Sequence, residues 1–514
     1  MSHMSRRAFL TDVGRGMLLA SIGGSVATDL GLSWVQASPA TESLSFGKLE
    51  ALASLMQETP LGKLQALLVE KLRAGQYNLD QLVAAAALAN ARQFGGEDYV
   101  GYHALMAMAP AHIMAAELPR SHQALPVLKV LFRNTDHIQR SGGRSNEVLR
   151  HVAPTAMQAG TSGGEALRRA TRAADLDAAE GAFAALTQAS VDGAYDHLQY
   201  AVHDDTEVHR VVLAHRAWSL LDLVGAENAH TLLRESVRFC VDAEQRRVAR
   251  GRSEPEIRSV LPRLLDAYAL HDPVLGTRRL DDAAVLELSE SIYDDAPAQA
   301  AEAAAAALAA GVSPEHVGEA ISLAATALEL RDRSRRVHGA CSGVHASDSA
   351  NAWRGIARVT SPRNAVASLV VGAHHISKGG RYAAEPYPLP EHLEALRETD
   401  SGALLRVLDE AVRSNDQGRA CAAVARYAEA GHCEDGVFDL LRRYAISEDG
   451  RLHAEKYYVT VREEFARTRP AYRWRHLLGL ARASASAYGY SVDDRPGQRA
   501  PGYEEACQLL GVEA

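Results

Sequence analysis

Residues 303–310 read AAAAALAA and run directly into Gly311, and this composition is typical of the whole chain. Alanine has the highest intrinsic helix propensity, and glycine is the residue that most often ends a helix in the left-handed conformation. Aromatic residues make up only 6% of the chain, and β-branched runs with period-two alternation are scarce. The sequence therefore predicts an all-α fold, either a multi-helical bundle or stacked antiparallel helix pairs, with no substantial sheet.

A helix, an Ala-Gly pair, a short polar loop and a second helix recur along the chain. The pattern occurs in KLRAGQYNLDQLVAAAALA (71–89), ALAAGVSPEHVGEAISLAA (307–325) and YAEAGHCEDGVFDLLRRYA (427–445). The spacing is irregular, so the pattern does not define a repeat family. It predicts that each first helix ends at the glycine. After Gly75, the next helix is expected to run from about Leu79 to Gln93, with Asn78 as its N-cap.

Length and charge narrow the class of protein to which the chain belongs. Its 514 residues suffice for a large core without disulfides, as one domain or as two fused helical lobes. The formal net charge of -9 leaves no basic footprint for nucleic acid, and no polybasic patch favours an anionic membrane surface. The five cysteines are widely spaced and contain no CxxC pair, which favours buried thiols over a metal site or a disulfide framework.

The first forty residues have the features of an export signal. Residues 5–10 read Ser-Arg-Arg-Ala-Phe-Leu, which resembles the twin-arginine (Tat) motif. A moderately apolar stretch follows at 16–32, and residues 35–37 (Val-Gln-Ala) offer small side chains for cleavage. The alternative is an apolar N-terminal helix that packs on the rest of the protein.

The Tat resemblance implies where the protein is exported. Residues 1–40 would be a signal peptide that the Tat translocase reads, and the mature protein would be periplasmic or extracellular. Tat substrates cross the membrane folded, often with a cofactor already loaded. The stretch RYAAEPYPLPEH (381–392), with three prolines, predicts a boundary between a helical catalytic core domain at 41–380 and a C-terminal helical segment at 381–514 that packs on the same core. Beyond the signal no apolar run reaches the ~18 residues needed to span a bilayer, so the mature part is not expected to be an integral membrane protein.

Histidine is the most informative residue, because neutral imidazole is the commonest protein metal ligand and titrates near neutral pH. The first group of histidines lies in DHLQYAVHDDTEVHRVVLAHRAW (196–218). On one continuous helix His203 and Glu207 would share a face, and His/carboxylate pairs of this kind supply metal ligands in helical bundles. The alternative is a helix start capped by residues 204–206, with partly exposed histidines. His209, which precedes an apolar run, is expected to point inward.

A second group lies in RVHGACSGVHASDSANAWRGI (336–356). His338 and His345 would lie nearly on one face of a helix but about 10 Å apart along it, so both could line one cavity without sharing one ion. The small residues around them either let helices approach closely or leave room for a ligand. Asp348, three residues after His345, is placed to orient its ring.

Two further segments carry candidate histidines. His374 and His375 follow an apolar run at 370–373, where at most one of them would enter a shared site, and where a helix end is the alternative explanation. His103 and His112 would face opposite sides of a continuous helix. The sequence contains no triad motif, nucleotide-binding glycine loop or HExxH.

Four segments of the chain together resemble the questin oxidase-like proteins, which are long, all-helical and include oxygenase-type enzymes of polyketide tailoring. These segments are the His103 region, the His197–His209 region, VHGACSGVH (337–345) and LHAEK (452–456). They are short and cover part of the mature chain, and a Tat signal departs from the usual cytosolic setting of that family. The resemblance implies oxidoreductase chemistry, without a substrate.

The preferred hypothesis is an exported α-helical oxidoreductase of oxygenase type, whose histidine-lined pocket binds a metal ion and acts on a small molecule. Iron or copper is expected in preference to zinc. The candidate ligands or acid–base groups are His209, His338 and His345, and the candidates for remaining ligands or supporting contacts are His374, Glu207 and His103. The alternatives are a non-enzymatic periplasmic helical-repeat binding protein or scaffold, and a hydrolase with a histidine base, for which no nucleophile stands out.

Overall fold

The computed structural model describes residues 43–155, 160, 162–333, 342–377, 384–447, 452–489 and 503–513. The chain divides into two compact units, Met1–Leu44 and Ser45–Ala514. The predicted Tat signal and His338 lie outside the described residues, so both stay predictions.

The described residues form 24 α-helices and no strand, apart from an isolated bridge between Arg278 and Val312, which confirms the predicted all-α fold. The first eight helices are α1 Glu50–Glu58, α2 Leu61–Arg73, α3 Leu79–Phe94, α4 Tyr99–Ala116, α5 Ala124–Arg140, α6 Gly163–Arg172, α7 Leu176–Ala189 and α8 Val191–Val202. The next eight are α9 Val208–Ser219, α10 Leu221–Val224, α11 Ala229–Ala249, α12 Ile257–Ala267, α13 Asp282–Asp294, α14 Pro297–Ala309, α15 Pro314–Arg331 and α16 Ser342–Val359. The last eight are α17 Pro362–Ile376, α18 Pro390–Glu394, α19 Ser401–Arg413, α20 Gln417–Glu429, α21 Asp435–Ile446, α22 His453–Arg467, α23 Trp474–Ala487 and α24 Tyr503–Leu510.

Helix α3 shows how local sequence sets the ends of these helices. The Asn78 side chain accepts a hydrogen bond from the Gln81 backbone N–H at 2.9 Å, and the Gln81 side chain accepts one from the Asn78 N–H at 3.0 Å. This reciprocal capping box satisfies two backbone donors that the first turn leaves unpaired. The helix ends at Gly95, which has a φ of 56° and occupies the left-handed conformation that glycine favours. The predicted start of this helix at Asn78 is confirmed.

The three Ala-Gly junctions are helix ends, as predicted. Their glycines, Gly75, Gly311 and Gly431, have φ angles of 65°, 81° and 73°. The two helices that each junction joins nevertheless pack mainly on other helices. Helix α2 packs on α5 and α3 on α4, α14 packs on α17 and α15 on α16, and α20 packs on α23 and α21 on α22. These junctions therefore connect neighbouring parts of the core rather than closing isolated helical hairpins.

Helices α4, α9, α16 and α22 form a closed arrangement at the centre of the Ser45–Ala514 unit. Helix α4 packs against α9 and α22, and α16 packs against the same two helices. Helix α4 is apolar on all sides, with buried residues around its whole circumference, which is typical of a helix in a protein interior. Helices α3 and α5 cover α4, whereas α15 and α17 cover α16.

Burial of the cysteines also follows the sequence prediction in most cases. Among the described residues Cys240, Cys421 and Cys507 are buried, whereas Cys433 is exposed. Small apolar thiols of this kind fill space in a core. No helix in the described ranges combines the length and the apolar character that a bilayer span requires.

Candidate functional site

Four imidazole rings meet where α4, α9, α16 and α22 converge, one from each helix. The rings belong to His103, His209, His345 and His453. The ring centroid of His103 lies 4.7 Å from that of His209 and 5.0 Å from that of His453. The centroid of His345 lies 6.1 Å from that of His209 and 5.4 Å from that of His453. Each ring therefore neighbours two others, and we call these four residues the histidine cluster.

The cluster unites residues that are distant in the sequence. Of the predicted site residues, it contains His103, His209 and His345, and it omits His374. His453 was not among the predicted site residues, although it lies in the LHAEK segment that contributes to the family resemblance. Its sequence signal was weak because it is the first residue of α22, among ordinary helix-forming residues.

Glu207 holds the His209 ring and begins α9. Its Oε2 accepts the backbone N–H of Arg210 at 2.8 Å, which is an N-cap contact, and its Oε1 accepts a hydrogen bond from Nδ1 of His209. A carboxylate can only accept, so Nδ1 of His209 carries a proton, and in the neutral form of the ring the lone pair lies on Nε2. Burial raises the pKa of Glu207, but the hydrogen bond from His209 and the other donors outweigh it, and the net pKa is lowered.

The His103 ring is held by its own helix. Its Nδ1 donates to the backbone carbonyl of Tyr99, 2.6 Å away and one turn earlier on α4. Because a carbonyl oxygen can only accept, Nε2 of His103 also keeps its lone pair. Burial and then the positive charge of Lys456 lower the pKa of His103 to about 2, so the ring is neutral at physiological pH.

The Nε2 atoms of these rings determine what the cluster can bind. Nε2 of His103 and Nε2 of His209 are buried and have no hydrogen-bond partner among the described residues. Leaving a buried polar atom without a partner costs about 1–3 kcal/mol, so two such lone pairs in one place are unusual. The Nε2 atoms of His345 and His453 face each other at 3.4 Å. The cluster thus concentrates imidazole nitrogens at one point in the core.

Aromatic side chains enclose the cluster on one side. The ring centroid of Tyr99 lies 4.4 Å from that of His103, and the centroid of Tyr102 lies 5.2 Å from that of His209. Phe239 on α11 packs against Tyr102 with a centroid distance of 5.3 Å. Burial, and then the negative charge of Glu207, raises the pKa of Tyr102, so its phenol keeps its proton at neutral pH.

Two buried ionisable side chains, Lys456 and Asp348, lie near the cluster. Lys456, one turn after His453, is 2% exposed, and Asp348 on α16 is 3% exposed. Burial lowers the pKa of Lys456 to about 8, against the opposing effect of Asp348, and burial raises the pKa of Asp348. Asp348 accepts a hydrogen bond from the Thr460 hydroxyl at 2.9 Å. The prediction that Asp348 orients His345 is therefore wrong, because the Asp348 carboxylate reaches across to α22.

At Gly343, a small residue of α16 allows this helix to pack closely against α15. A Cβ added to Gly343 would lie 2.3 Å from the Cα of Glu329 on α15. No side chain fits at that distance, so α16 approaches the α15 backbone only because residue 343 is glycine. This close approach determines how deeply His345, two residues later, enters the core.

Residues 196–218 form two helices rather than one. Helix α8 ends at Val202 and α9 begins at Val208, and the N-cap of α9 is Glu207 rather than residues 204–206. His203 and Glu207 therefore do not share a helix face. His203 is buried, with Nε2 2.9 Å from the Ser368 hydroxyl. It is a core histidine outside the cluster.

One ring of the cluster, that of His209, borders a cavity of about 880 Å³. His209, Glu207, Tyr99 and Tyr102 line one side, and the end of α11 lines another. His374, on α17, also lines this cavity, with its Nε2 3.1 Å from the Glu256 carboxylate. The volume lies within the range of small-molecule sites, which is roughly 300–1,000 Å³.

Within the described ranges, no group of three or more histidine, cysteine, aspartate or glutamate side chains has the arrangement of a formed metal site. The separation of 3.4 Å between Nε2 of His345 and Nε2 of His453 nevertheless suits a shared ion. Two ligands that bind tetrahedrally at about 2.1 Å lie roughly 3.4 Å apart. The described residues therefore bring together imidazole nitrogens of the kind that bind metal ions, without the geometry of a formed site. No family model, curated protein or solved structure matches this chain.

Proposed function

We propose that this protein is a metal-dependent oxidoreductase of oxygenase type, and that the histidine cluster holds its metal ion. One observation carries the proposal: Nε2 of His103 and Nε2 of His209 are buried nitrogen atoms without a hydrogen-bond partner among the described residues. In both rings Nδ1 donates to a fixed oxygen, on the Tyr99 backbone or the Glu207 carboxylate. Metal-binding histidines are typically held in this way, with the outer nitrogen donating to a carboxylate or a backbone carbonyl.

The low pKa of His103 favours a ligand over a general base. A base whose conjugate acid has a pKa of about 2 is too weak to remove protons efficiently near neutral pH. The same property keeps the ring neutral, which is the form that binds metals. Imidazole nitrogens suit iron, copper, nickel and zinc alike. Oxidoreductase chemistry restricts the choice to a redox-active ion, iron or copper, which would supply electron transfer and oxygen activation when bound.

The oxidoreductase part of the proposal is supported by the resemblance to the questin oxidase-like proteins. Each of the four segments that carry the resemblance contributes one ring of the cluster: His103, His209, His345 and His453. Short segments that resemble a family by chance have no reason to converge in space. Their convergence therefore supports a common site.

The residues around the cluster have separable roles. Glu207 and the Tyr99 carbonyl hold two rings in orientation, and Tyr102 presents a neutral phenol to the cavity beside His209. Tyr102 and Phe239 are buried and form an aromatic wall at this end of the cavity, whereas Tyr99 is 59% exposed.

Elemental analysis and an absorption spectrum test the proposal, on protein purified without a histidine tag or chelator. Near-stoichiometric iron or copper is expected in the wild type. His103→Ala, His209→Ala, His345→Ala and His453→Ala should each lose most of the metal while their circular dichroism stays helical. His271→Ala changes an exposed histidine outside the cluster and should keep full occupancy. A folded, metal-free wild type that takes up neither iron nor copper, or full occupancy in the cluster variants, would overturn the proposal and favour the helical-repeat binding protein.

We also propose that the protein is exported by the Tat translocase, on the basis of Ser-Arg-Arg-Ala-Phe-Leu at residues 5–10. Replacement of both arginines by lysine, Arg6→Lys and Arg7→Lys, should retain the full-length chain in the cytoplasm. Fractionation of a bacterial host, with a known periplasmic protein as marker, measures the distribution. Unchanged export of the double variant would contradict a twin-arginine signal.

A further inference from the structure

The mouth of the cavity beside His209 is lined by arginines. They come from the last turn of α11 and the segment that follows it. The backbone carbonyl of Arg252 accepts a hydrogen bond from the Arg247 guanidinium at 3.1 Å, which holds this segment against the helix end. The four arginines that line the cavity are Arg246, Arg247, Arg250 and Arg252.

Two of these arginines carry charge that the protein does not neutralise. Arg246 pairs with Asp242 on its own helix at 2.8 Å, and Arg247 pairs with Glu244 at 2.9 Å. Arg250 and Arg252 are exposed and have no carboxylate partner in the described part of the chain. The cavity mouth therefore presents two guanidinium groups that are available to a ligand.

The acidic side chains that line the same cavity contact other groups rather than Arg250 or Arg252, and two of them are hydrogen-bonded to histidines. The pairs are Asp205 with Arg210 at 3.9 Å, Glu207 with His209, Glu254 with Arg258 at 3.7 Å and Glu256 with His374 at 3.1 Å. A neutral or cationic ligand would gain nothing from Arg250 and Arg252. An anionic ligand would gain two charge-assisted contacts.

The wall between the arginines and the cluster is aromatic. Phe239 packs edge-on against Tyr102, and the Tyr99 ring lies 5.6 Å from that of Tyr102, centroid to centroid. All three side chains line the cavity. Aromatic faces and edges at these distances favour a flat ring as their partner.

We propose that the substrate of this site is a small aromatic carboxylate. Its carboxylate binds Arg250 and Arg252 at the cavity mouth, and its ring lies along Tyr99, Tyr102 and Phe239 with the reacting end towards His209. Arginine suits this role because its planar guanidinium matches the two oxygens of a carboxylate. The inference rests on the proposed function, because it names the substrate class of the same site.

Isothermal titration with 2-naphthoate and with its uncharged analogue 2-naphthamide tests the inference. The wild type should bind the carboxylate at least about tenfold more tightly than the amide, because charge-assisted hydrogen bonds are roughly twice as strong as neutral ones. Added salt should weaken binding of the carboxylate and leave binding of the amide unaffected.

The variant Arg250→Gln/Arg252→Gln should lose the preference for the carboxylate over the amide. The matched control Arg278→Gln/Arg279→Gln removes two exposed arginines outside the cavity and should retain it.

Equal affinities for the two probes in the wild type, no measurable binding of 2-naphthoate, or an unchanged preference in Arg250→Gln/Arg252→Gln would each overturn the inference. Metal analysis of the same samples separates this result from the proposed function. Selective binding of 2-naphthoate by a protein that takes up neither iron nor copper would support the aromatic carboxylate and overturn the oxidoreductase. A loaded protein without the preference would overturn the aromatic carboxylate alone.

Discussion

Glu207 and His209 are joined by a hydrogen bond from the imidazole Nδ1 to the carboxylate, and the same carboxylate caps the helix that carries His209. One side chain therefore sets both where α9 begins and how the ring is rotated. An orienting residue of this kind contributes to metal affinity without touching the ion.

Glu207→Ala should separate these two roles. We expect metal affinity to fall about 10–100-fold, because the His209 ring loses its orienting acceptor. The free energy of unfolding should fall by about 1 kcal/mol from loss of the N-cap. Titration against a competing chelator and urea unfolding measure the two effects. Asp175→Ala is the matched control, since Asp175 caps α7 away from the cluster; it should lose stability only. Equal metal affinity in Glu207→Ala and Asp175→Ala would contradict the orienting role.

The buried charges of Lys456 and Asp348 should be energetically coupled. Lys456→Met leaves the Asp348 carboxylate buried without its neighbouring cation and should lower the free energy of unfolding by about 3–5 kcal/mol. The double variant Asp348→Asn/Lys456→Met removes both charges, so its loss should be smaller than the sum of the single losses by about 1–3 kcal/mol. Denaturant unfolding of all four proteins measures the coupling. Additive losses would show that the two charges do not interact.

Glu464 should make stability depend on pH in the acid range. Its carboxylate pairs with Arg354 at 2.7 Å and accepts a hydrogen bond from Asn351 at 2.9 Å. Burial alone would raise its pKa, but the Arg354 charge and the other partners lower it to about 2 from an ordinary value of 4.5. A group whose pKa is lowered on folding contributes stability above its unfolded pKa and loses it as pH falls through the folded value. The contribution is therefore complete above about pH 4.5 and lost towards pH 2.

Glu464→Gln removes this charge and should lower the free energy of unfolding by about 3 kcal/mol at pH 7. The difference from the wild type should shrink between pH 4.5 and pH 2, because the wild-type carboxylate then becomes protonated too. Unfolding curves of the wild type and Glu464→Gln between pH 4.5 and pH 2 test this change in the stability difference. Glu391→Gln alters an exposed carboxylate and should show no difference at any pH. A difference between Glu464→Gln and the wild type that stays constant with pH would contradict the lowered pKa.

Gly343→Ala should disturb the cluster through packing alone. The added Cβ meets the Glu329 backbone, so α16 must move away from α15, at a cost of about 1–3 kcal/mol of stability. Because His345 follows two residues later, metal affinity should fall as well. Gly62→Ala introduces the same methyl group on α2, where nothing lies within 4 Å, and should be neutral or slightly stabilising. If both variants behaved alike, close packing at Gly343 would be refuted.

The sequence by itself determined the fold class and many helix ends. Alanine-rich segments, the Asn78 capping box and glycines such as Gly75 act through backbone geometry within a few residues. Such short-range effects can be read from the order of residues. The sequence also marked histidine as the residue type that carries the chemistry, and it singled out His103, His209 and His345.

Only the tertiary structure decided which histidines meet. His103 and His453 are 350 positions apart, yet their rings are neighbours because α4 packs on α22. The rotation of each helix about its axis depends on its packing partners, such as the Gly343 contact with α15, and helical periodicity alone does not specify it. The break between α8 and α9 likewise follows from the Glu207 cap, which removed His203 from the predicted face and turned His209 inward. The convergence of side chains from four helices depends on long-range packing. The sequence therefore identified most of the candidate histidines, and only the packing of the core determined which of them meet.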